Sequence, residues 1–543
     1  MLTEFFYWAW LFAGIPCGIS LIFMLDAGKK EHEFRRQFWS FGVAVGALLI
    51  GMWFIFRLIG KYAGVGYLLM FCISTAIGVF IGFVFLREIV PMFQKFGEKA
   101  TKKTAVERNK KTDIREIEKH LPSVQKPFTP ENFFDQKNAF IGLDESQQQV
   151  LLDKNFFENK TPHVEVLGTT GAGKGVVIGV LASQWIKNGE AVFMIDPKND
   201  EWGPHVFATA AKNAGVAHNV INLRVSEPQF SICDGATADE IEELFVAAFG
   251  FADTGKASDF YSIADRKYAG IVARAIVSDR LTAAEAYSQF ADELEKNAPK
   301  FGGKLRELGE VTAANAKPGT GISFDQIIED GGSCYIVGHM RAEKIVRLQK
   351  MLLVRLIQIA EKRDRLEHEL RPVAIILDEA KYHLSKNALE SLGAARDKGV
   401  HLVIAHQSIA DLRASQEMDA DEVIGAIVEN CKLKICYRVQ SPDTAEWLAR
   451  MSGTIIVDDE SRKVQKNIAL TEEMHSERSI KQSERYFVDE NMMLNLPNKC
   501  AVVYGLGLAK FVTIYNVSAT KHADNVKIKS VEGVKIINAD EMI

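Results

Sequence analysis

The chain has 543 residues, 47% of them apolar and 25% charged, with a formal net charge of −5. That length exceeds the usual 100–200 residues of one domain, so several domains are expected. A mildly acidic chain is no general polyanion binder, and any contact with nucleic acid must come from local basic patches.

Three uncharged runs open the chain: Phe5–Leu25, Phe38–Phe56 and Tyr62–Leu86. Each reaches the roughly 18–20 residues that a helix needs to cross a bilayer. Tyr7, Trp8, Trp10, Trp39, Trp53, Tyr62 and Tyr67 tend to lie near the ends of these runs, as interfacial aromatics do. The first run lacks a basic leader, so a cleaved signal peptide is not expected. The segment 26–37 carries Lys29, Lys30, Arg35 and Arg36, and 95–111 carries Lys95, Lys99, Lys102, Lys103, Arg108, Lys110 and Lys111. Only Arg57 and Lys61 separate the second and third runs. The positive-inside rule then places 26–37 and everything after Arg87 in the cytoplasm, with three crossings and the N-terminus outside. A two-crossing arrangement, with the first run lying in the interface, is the alternative. The basic run 95–111 is either a contact for anionic lipid head groups or a solvated helix leading away from the membrane.

From about Pro127 the composition becomes that of an α/β protein. The runs 163–168, 191–196, 333–338, 373–378 and 401–406 read as buried strands, and 432–439 and 500–507 add two more. Apolar strands alternating with helical segments predict a parallel sheet covered on both faces. Between Thr237 and Asp330 the strand signal gives way to amphipathic helices, read as an all-α domain inserted in the α/β domain. The expected layout is a transmembrane region at 1–90 and a basic juxtamembrane linker at 91–130. A nucleotide-binding domain follows in two parts, 131–236 and 331–516, split by the insert at 237–330. The tail is 517–543. The seven cysteines show neither CxxC nor metal-ligand spacing, so reduced structural thiols facing the cytosol are expected.

Residues 166–177 read VLGTTGAGKGVV. Gly168, Gly171, Gly173 and Lys174 fit the phosphate-binding pattern G-x-x-x-x-G-K, between a strand and a helix, which is the context that gives the pattern weight. Such glycines let backbone N–H groups approach phosphates at a helix N-terminus. The segment from Gly168 through Thr169, Thr170, Gly171, Ala172, Gly173, Lys174, Gly175 and Val176 is therefore the candidate ATP cradle, with Lys174 reaching the β- and γ-phosphates. The run 374–380, AIILDEA, ends a strand on Asp378 and Glu379. Asp378 is the candidate Mg²⁺ ligand, and Glu379 the group that polarises the attacking water. A further strand, 401–406, is followed by Gln407, a candidate sensor of the γ-phosphate. Gly175 stands where such loops usually carry Ser or Thr, so a metal ligand is missing. Mg²⁺ takes few protein ligands, and phosphate oxygens, waters and Asp378 can complete its octahedron. Nucleotide binding with a weaker hold on the metal is the expectation.

These motifs and their flanks resemble the type IV secretion coupling proteins, within the FtsK–HerA class of P-loop ATPases. The resemblance runs from about Ile141 to Val512 and includes IDPKND (195–200), GAARDKGVHLVIAHQSIADL (393–412) and YRVQSPDTAEWLARMSG (437–453). It implies a RecA-like P-loop NTPase domain with an inserted all-α domain, preceded by N-terminal transmembrane helices. The family usually has two such helices, and the third run here is a departure. The resemblance further implies an inner-membrane ATPase that hands DNA–relaxase or effector-protein substrates to a secretion channel, using ATP and Mg²⁺. It implies a homo-hexameric ring with ATP at subunit boundaries and an arginine finger from the neighbour. Arg396 matches the basic position between Asp378–Glu379 and the sensor strand, and Arg413 and Arg438 are rivals. A nucleotide-gated receptor platform with little translocation, and a chromosome-segregation translocase, are the alternative functions.

Overall fold

The computed structural model describes residues 2–29, 33–58, 65–93, 114, 117–135, 138–153, 163–251, 262–364, 370–413, 420–466 and 472–520. The basic run 95–111 and residues 521–543 of the tail lie outside the described residues. The chain divides into two compact units, Met1–Lys111 with Ile455–Arg485, and Thr112–Thr454 with Tyr486–Ile543.

In the first unit, helices α1 (Leu2–Lys29), α2 (Glu33–Leu58) and α3 (Val65–Val84), the last continued by a π-helical turn (Phe85–Ile89) and one more helical turn, contain three spans long and apolar enough to cross a membrane: Phe12–Lys29, Phe34–Phe54 and Leu68–Phe93. Phe34, Phe38, Phe41, Phe54 and Phe80 point outward. Inside, the helices meet on glycines spaced four apart. A Cβ on Gly18 would lie 2.1 Å from the Thr75 carbonyl oxygen, and one on Gly78 2.1 Å from that of Ile15. Gly14 faces Ser74, Gly82 faces Ile22, and Gly42 and Gly46 of α2 face Ser20 and Cys17. In an apolar solvent, where lipid tails are as greasy as leucine, such close backbone approach is what holds helices together.

The second unit is built on one sheet. Its strands are β1 (Asn138–Asp144), β2 (Gln149–Asp153), β3 (Val164–Leu167), β4 (Ala191–Asp196), β5 (His218–Asn222), β6 (Gly332–Val337), β7 (Val373–Leu377), β8 (Val400–His406) and β9 (Leu433–Cys436). After β10 (Thr454–Lys466) and β11 (Glu472–Tyr486), which pair with each other as a separate ribbon, come β12 (Cys500–Tyr504) and β13 (Lys510–Thr513). The eleven strands run in the order β2-β1-β13-β12-β9-β3-β8-β7-β4-β6-β5. From β9 to β5 they are parallel, and β12, β13, β1 and β2 extend the sheet antiparallel. The parallel strands are apolar throughout because both faces are covered. Phe193 and Ile195 enter one core and Val192 and Met194 the other, as the two-residue period of a strand requires.

Between β5 and β6 come the helices Ala238–Phe249, Ile263–Asp279, Ala283–Asn297, Pro299–Gly309 and Phe324–Asp330. Thr237 and Thr282 each open a helix with a full capping box, their hydroxyls receiving the N–H groups of Glu240 and Glu285. Phe245, Phe249 and Phe301 of these helices pack ring on ring, and they join the apolar cluster that also covers the Phe193 face of the sheet.

At the entrance to β4 the Glu190 carboxylate lies 3.3 Å from the fully buried imidazole of His401. Burial pushes Glu190 up to about 8 and His401 down to about 3, so both are neutral at pH 7. Between about pH 4.5 and 8 the folded chain keeps on Glu190 a proton that the unfolded chain has released, so this group's contribution to stability falls as pH rises through that window, while His401, neutral when folded and charged when unfolded below about pH 6.5, works the other way. Glu190→Gln, a neutral isostere, is expected to stabilise the protein at pH 8 by on the order of 3 kcal/mol and to do little near pH 4.5. Thermal melts of the two proteins at the two pH values check this.

Candidate nucleotide-binding site

β3 ends at Leu167 and helix α4 (Lys174–Lys187) starts seven residues on, at the edge of the sheet where the parallel strands end. The loop between them turns on Gly171 (φ +77°) and Gly173 (φ +127°). Tyr437 is its floor: a Cβ on Gly168 would lie 2.6 Å from the Tyr437 Cβ, and one on Gly173 2.7 Å from its ring. The loop is tied down where Gly168 N–H donates to the His406 carbonyl at 3.3 Å and Thr169 N–H to the Arg438 carbonyl at 3.0 Å. Lys174 and Gly175 lie in the first helical turn, whose N–H groups have no carbonyl one turn earlier in the helix to bond. Thr169, Thr170, Gly171, Gly173, Lys174, Gly175 and Val176 line a cavity of about 620 Å³, while Ala172 is buried in the core. The Lys174 ammonium donates to the Gly168 carbonyl at 2.6 Å. Burial and then the Lys198 charge push its pKa down, against the pull of Glu379 and Asp378.

The acidic pair follows β7. Glu379 takes a left-handed backbone (φ +50°), a conformation that costs a non-glycine residue energy and recurs at working sites. Its carboxylate is 2% exposed and accepts from the Gln407 amide at 2.8 Å. Gln407 itself is held by Asp411, which receives its N–H at 3.1 Å and pairs with Lys381 at 3.0 Å. The Lys198 ammonium lies 2.5 Å from Glu379 and 3.2 Å from Asp378. Burial raises the Asp378 pKa, with Glu379 adding to it and Lys198 opposing. Burial works the same way on Glu379, but the hydrogen bonds from Lys198 and Gln407 outweigh it and its pKa is lowered. The cluster thus holds an ionised carboxylate at Glu379, in line with polarising a water.

The residues fit ATP and Mg²⁺. Side chains at Gly168 and Gly173 would collide with Tyr437, so the glycines are required by the cradle itself, and Lys174 and Asp378 line one cavity with Glu379 buried beside them. Lys174, Asp378, Glu379 and Gln407 are brought together. Arg396 is not: it lies on the short helix Leu392–Asp397, whose Leu392 carbonyl meets His163 at 2.9 Å, at the opposite edge of the sheet. Arg413 ends the helix Ile409–Arg413, and Arg438 adjoins the loop through its carbonyl. A Cβ on Gly175 would have nothing within 4 Å, so a threonine fits there. Gly175→Thr is therefore expected to keep nucleotide binding and to lower the Mg²⁺ concentration for half-maximal hydrolysis about fivefold, on the order of 1 kcal/mol for one added ligand. A Mg²⁺ titration of the hydrolysis rate checks it; an unchanged curve would refute the missing-ligand argument.

Residues 139–232, which hold the cradle, match the family described as the central domain of helicase HerA, and residues 372–498, which hold the acidic pair and Gln407, match the TraM recognition site of TraD and TraG. Mobilization protein A of Escherichia coli is 28% identical over 342 residues, 60% of this chain. Across the cradle and the acidic pair the chain is similar to the type IV secretion coupling proteins. The aligned stretch spans 60% of the length of that curated relative. Among solved structures, the bacterial conjugative coupling protein TrwBdeltaN70 in its unbound monoclinic form is 13% identical with a TM-score of 0.51, covering 74% of this chain and 95% of that one. The plasmid coupling protein TrwB in complex with ADP and Mg²⁺ is 13% identical with a TM-score of 0.50, covering 75% of this chain and 97% of that one. At this identity the two structures establish a shared coupling-protein fold.

Several residues of the site are not evident from the motifs. Tyr437, the floor of the loop, and Asp411, the holder of Gln407, carry no spacing signature. A buried triad lies under the loop: Glu165 of β3 meets His406 of β8 at 2.8 Å and Lys434 of β9 at 3.3 Å. Burial opposes the Glu165 charge, but the His406 hydrogen bond and the Lys434 ammonium outweigh it and its pKa is lowered. The signal for the triad was a charge inside each of three apolar strands. Lys198 sits in IDPKND, a stretch the sequence marks without giving any residue a role.

Proposed function

We propose that this chain is the coupling ATPase of a type IV secretion or conjugation apparatus, anchored in the bacterial inner membrane by α1–α3. The observation that carries the reading is that Lys174 and Asp378 line one cavity at the strand ends, with Glu379 and Gln407 hydrogen-bonded to each other beside Asp378. In this reading Lys174 and the loop N–H groups hold the β- and γ-phosphates. Asp378 would hold Mg²⁺, which would supply neutralisation of charge on the transferring group. Glu379 orients and polarises a water, and Gln407 fixes the Glu379 carboxylate and reports the γ-phosphate. Subunits assemble as a homo-hexamer with the sites at their boundaries, and the helices between β5 and β6 form the inserted domain. Substrates are DNA with its relaxase, or effector proteins, passed on to the channel. TrwB, whose structure contains ADP and Mg²⁺, supports the choice of cofactors.

The test is ATP hydrolysis by full-length protein in nanodiscs, with single-stranded DNA, double-stranded DNA and no DNA. Turnover stimulated by either DNA supports the translocating motor. Nucleotide binding without stimulated turnover would replace it with a receptor platform that docks substrate and leaves transport to others.

A further inference from the structure

Lys198 is held by a loop whose backbone is fixed on both sides. Asp196, buried at the end of β4, accepts the Lys198 N–H at 2.8 Å, the Asp200 N–H at 2.6 Å and the Tyr335 hydroxyl at 2.8 Å. Asn199 makes the turn in the left-handed region at φ +65°. Asp200 then accepts the N–H groups of Trp202 at 2.8 Å and Gly203 at 2.6 Å, where helix α5 (Gly203–Ala214) begins. The Lys198 side chain leaves this frame on the cavity side and places its ammonium on Glu379 Oε1 and Asp378 Oδ2. Its own side chain is 32% exposed, against 15% for Asp378 and 2% for Glu379, so it closes the pair from the side a ligand would use.

Those oxygens are the ones a divalent cation in this site would take, since hard cations seek carboxylates. An ammonium and a divalent ion within a few ångströms of one carboxylate repel strongly, so they do not share it. We propose that Lys198 and the divalent cation are alternative partners of the Asp378–Glu379 pair, and that metal binding proceeds by exchange with the Lys198 ammonium. The proposal rests on reading Asp378–Glu379 as the metal side of a nucleotide site. It gives the lysine of IDPKND a function: it keeps two buried carboxylates compensated, and it sets how readily metal enters. The released ammonium stays in a cavity whose wall also carries Lys174 and Gly175, where an anion would be its next partner.

The experiment measures metal binding itself. Free Mn²⁺ is followed by electron paramagnetic resonance in titrations of full-length protein in detergent, without nucleotide. Lys198→Ala and Lys198→Met are expected to bind Mn²⁺ about tenfold tighter than the unaltered chain, because the competing charge is gone. Adding Asp378→Asn to either should abolish the gain, which places the ion at this pair. Lys198→Met keeps the aliphatic stem, so a folding defect in the alanine variant does not spoil the test, and melting temperatures are taken alongside. Mn²⁺ affinity that is unchanged or weaker in the methionine variant overturns the exchange. Failure of the unaltered protein to hydrolyse ATP, with the Mn²⁺ pattern as expected, would instead sink the ATPase reading and leave the exchange standing.

Discussion

Lys174→Ala is expected to abolish nucleotide binding or turnover, whereas Glu379→Gln should bind nucleotide normally and turn it over about 10²–10⁴-fold more slowly. The two differ because of when each group acts. Lys174 meets phosphates that are charged before the reaction begins, so its loss costs ground-state affinity, on the order of 1.5–3 kcal/mol for a charged hydrogen bond. Glu379 matters only as water attacks, so its loss falls on the rate and spares affinity. The geometry makes Glu379→Gln a clean probe. The oxygen that receives the Gln407 amide at 2.8 Å survives the change, so the sensor keeps its place while the carboxylate charge disappears. Fluorescent-nucleotide binding and phosphate release, measured on the same preparation, separate the two outcomes. Undiminished turnover in Glu379→Gln would move water activation to another group.

The readable parts of this chain were those where one local pattern carries the chemistry. The strands at 163–168, 191–196, 333–338, 373–378, 401–406, 432–439 and 500–507 are all present, because strands buried on both faces are apolar runs. Four others were not foreseen. β1, β2 and β13 belong to an antiparallel extension that joins two hairpins, β1–β2 and β12–β13, through a pairing hundreds of residues apart, where Leu143 of β1 meets Thr513 of β13, and β5 is a short strand at the far end of the sheet. The ribbon of β10 and β11 escaped notice for a different reason. Its residues, from Thr454 to Tyr486, are dense in charge and hide any strand alternation. The glycine contacts of α1–α3 lay in plain view as G-x-x-x-G spacings. They become legible only once the partner backbone is known, since any glycine in a lipid-facing helix looks alike. At the site, the sequence supplied Lys174, Asp378 and Glu379 because loop and strand end announce them. It was silent on Tyr437, Asp196 and the Glu165–His406–Lys434 triad, whose roles come from strands brought side by side.

Arg396 is where local reading and fold separate furthest. The resemblance to the coupling proteins points to it as the arginine finger, yet the helix that carries it precedes β8, and the cradle lies beyond the strand ends. β3 and β8 are parallel, with Val164 opposite Val403 and Leu167 opposite His406, so His163 beside Arg396 and Gly168 in the cradle mark opposite edges of the sheet. A strand of this length spans roughly 15–20 Å. No arginine side chain bridges that within its own chain, so any action of Arg396 on a γ-phosphate must be on a neighbour's. An action of that kind has a signature. Arg396→Ala and Lys174→Ala chains should each be nearly inactive alone, since a finger is worth about 10³-fold or more in turnover. Mixed in one ring, they should recover part of the activity, because an Arg396→Ala subunit keeps its Lys174 and can receive Arg396 from a Lys174→Ala neighbour. The experiment needs full-length protein in nanodiscs and a tag on each chain to show that mixed rings form. If tagged mixed rings remain as inactive as their parents, Arg396 is not the finger. Attention then passes to Arg438, whose backbone already holds Thr169 of the cradle at 3.0 Å, and to Arg413, at the end of the helix that follows the sensor Gln407.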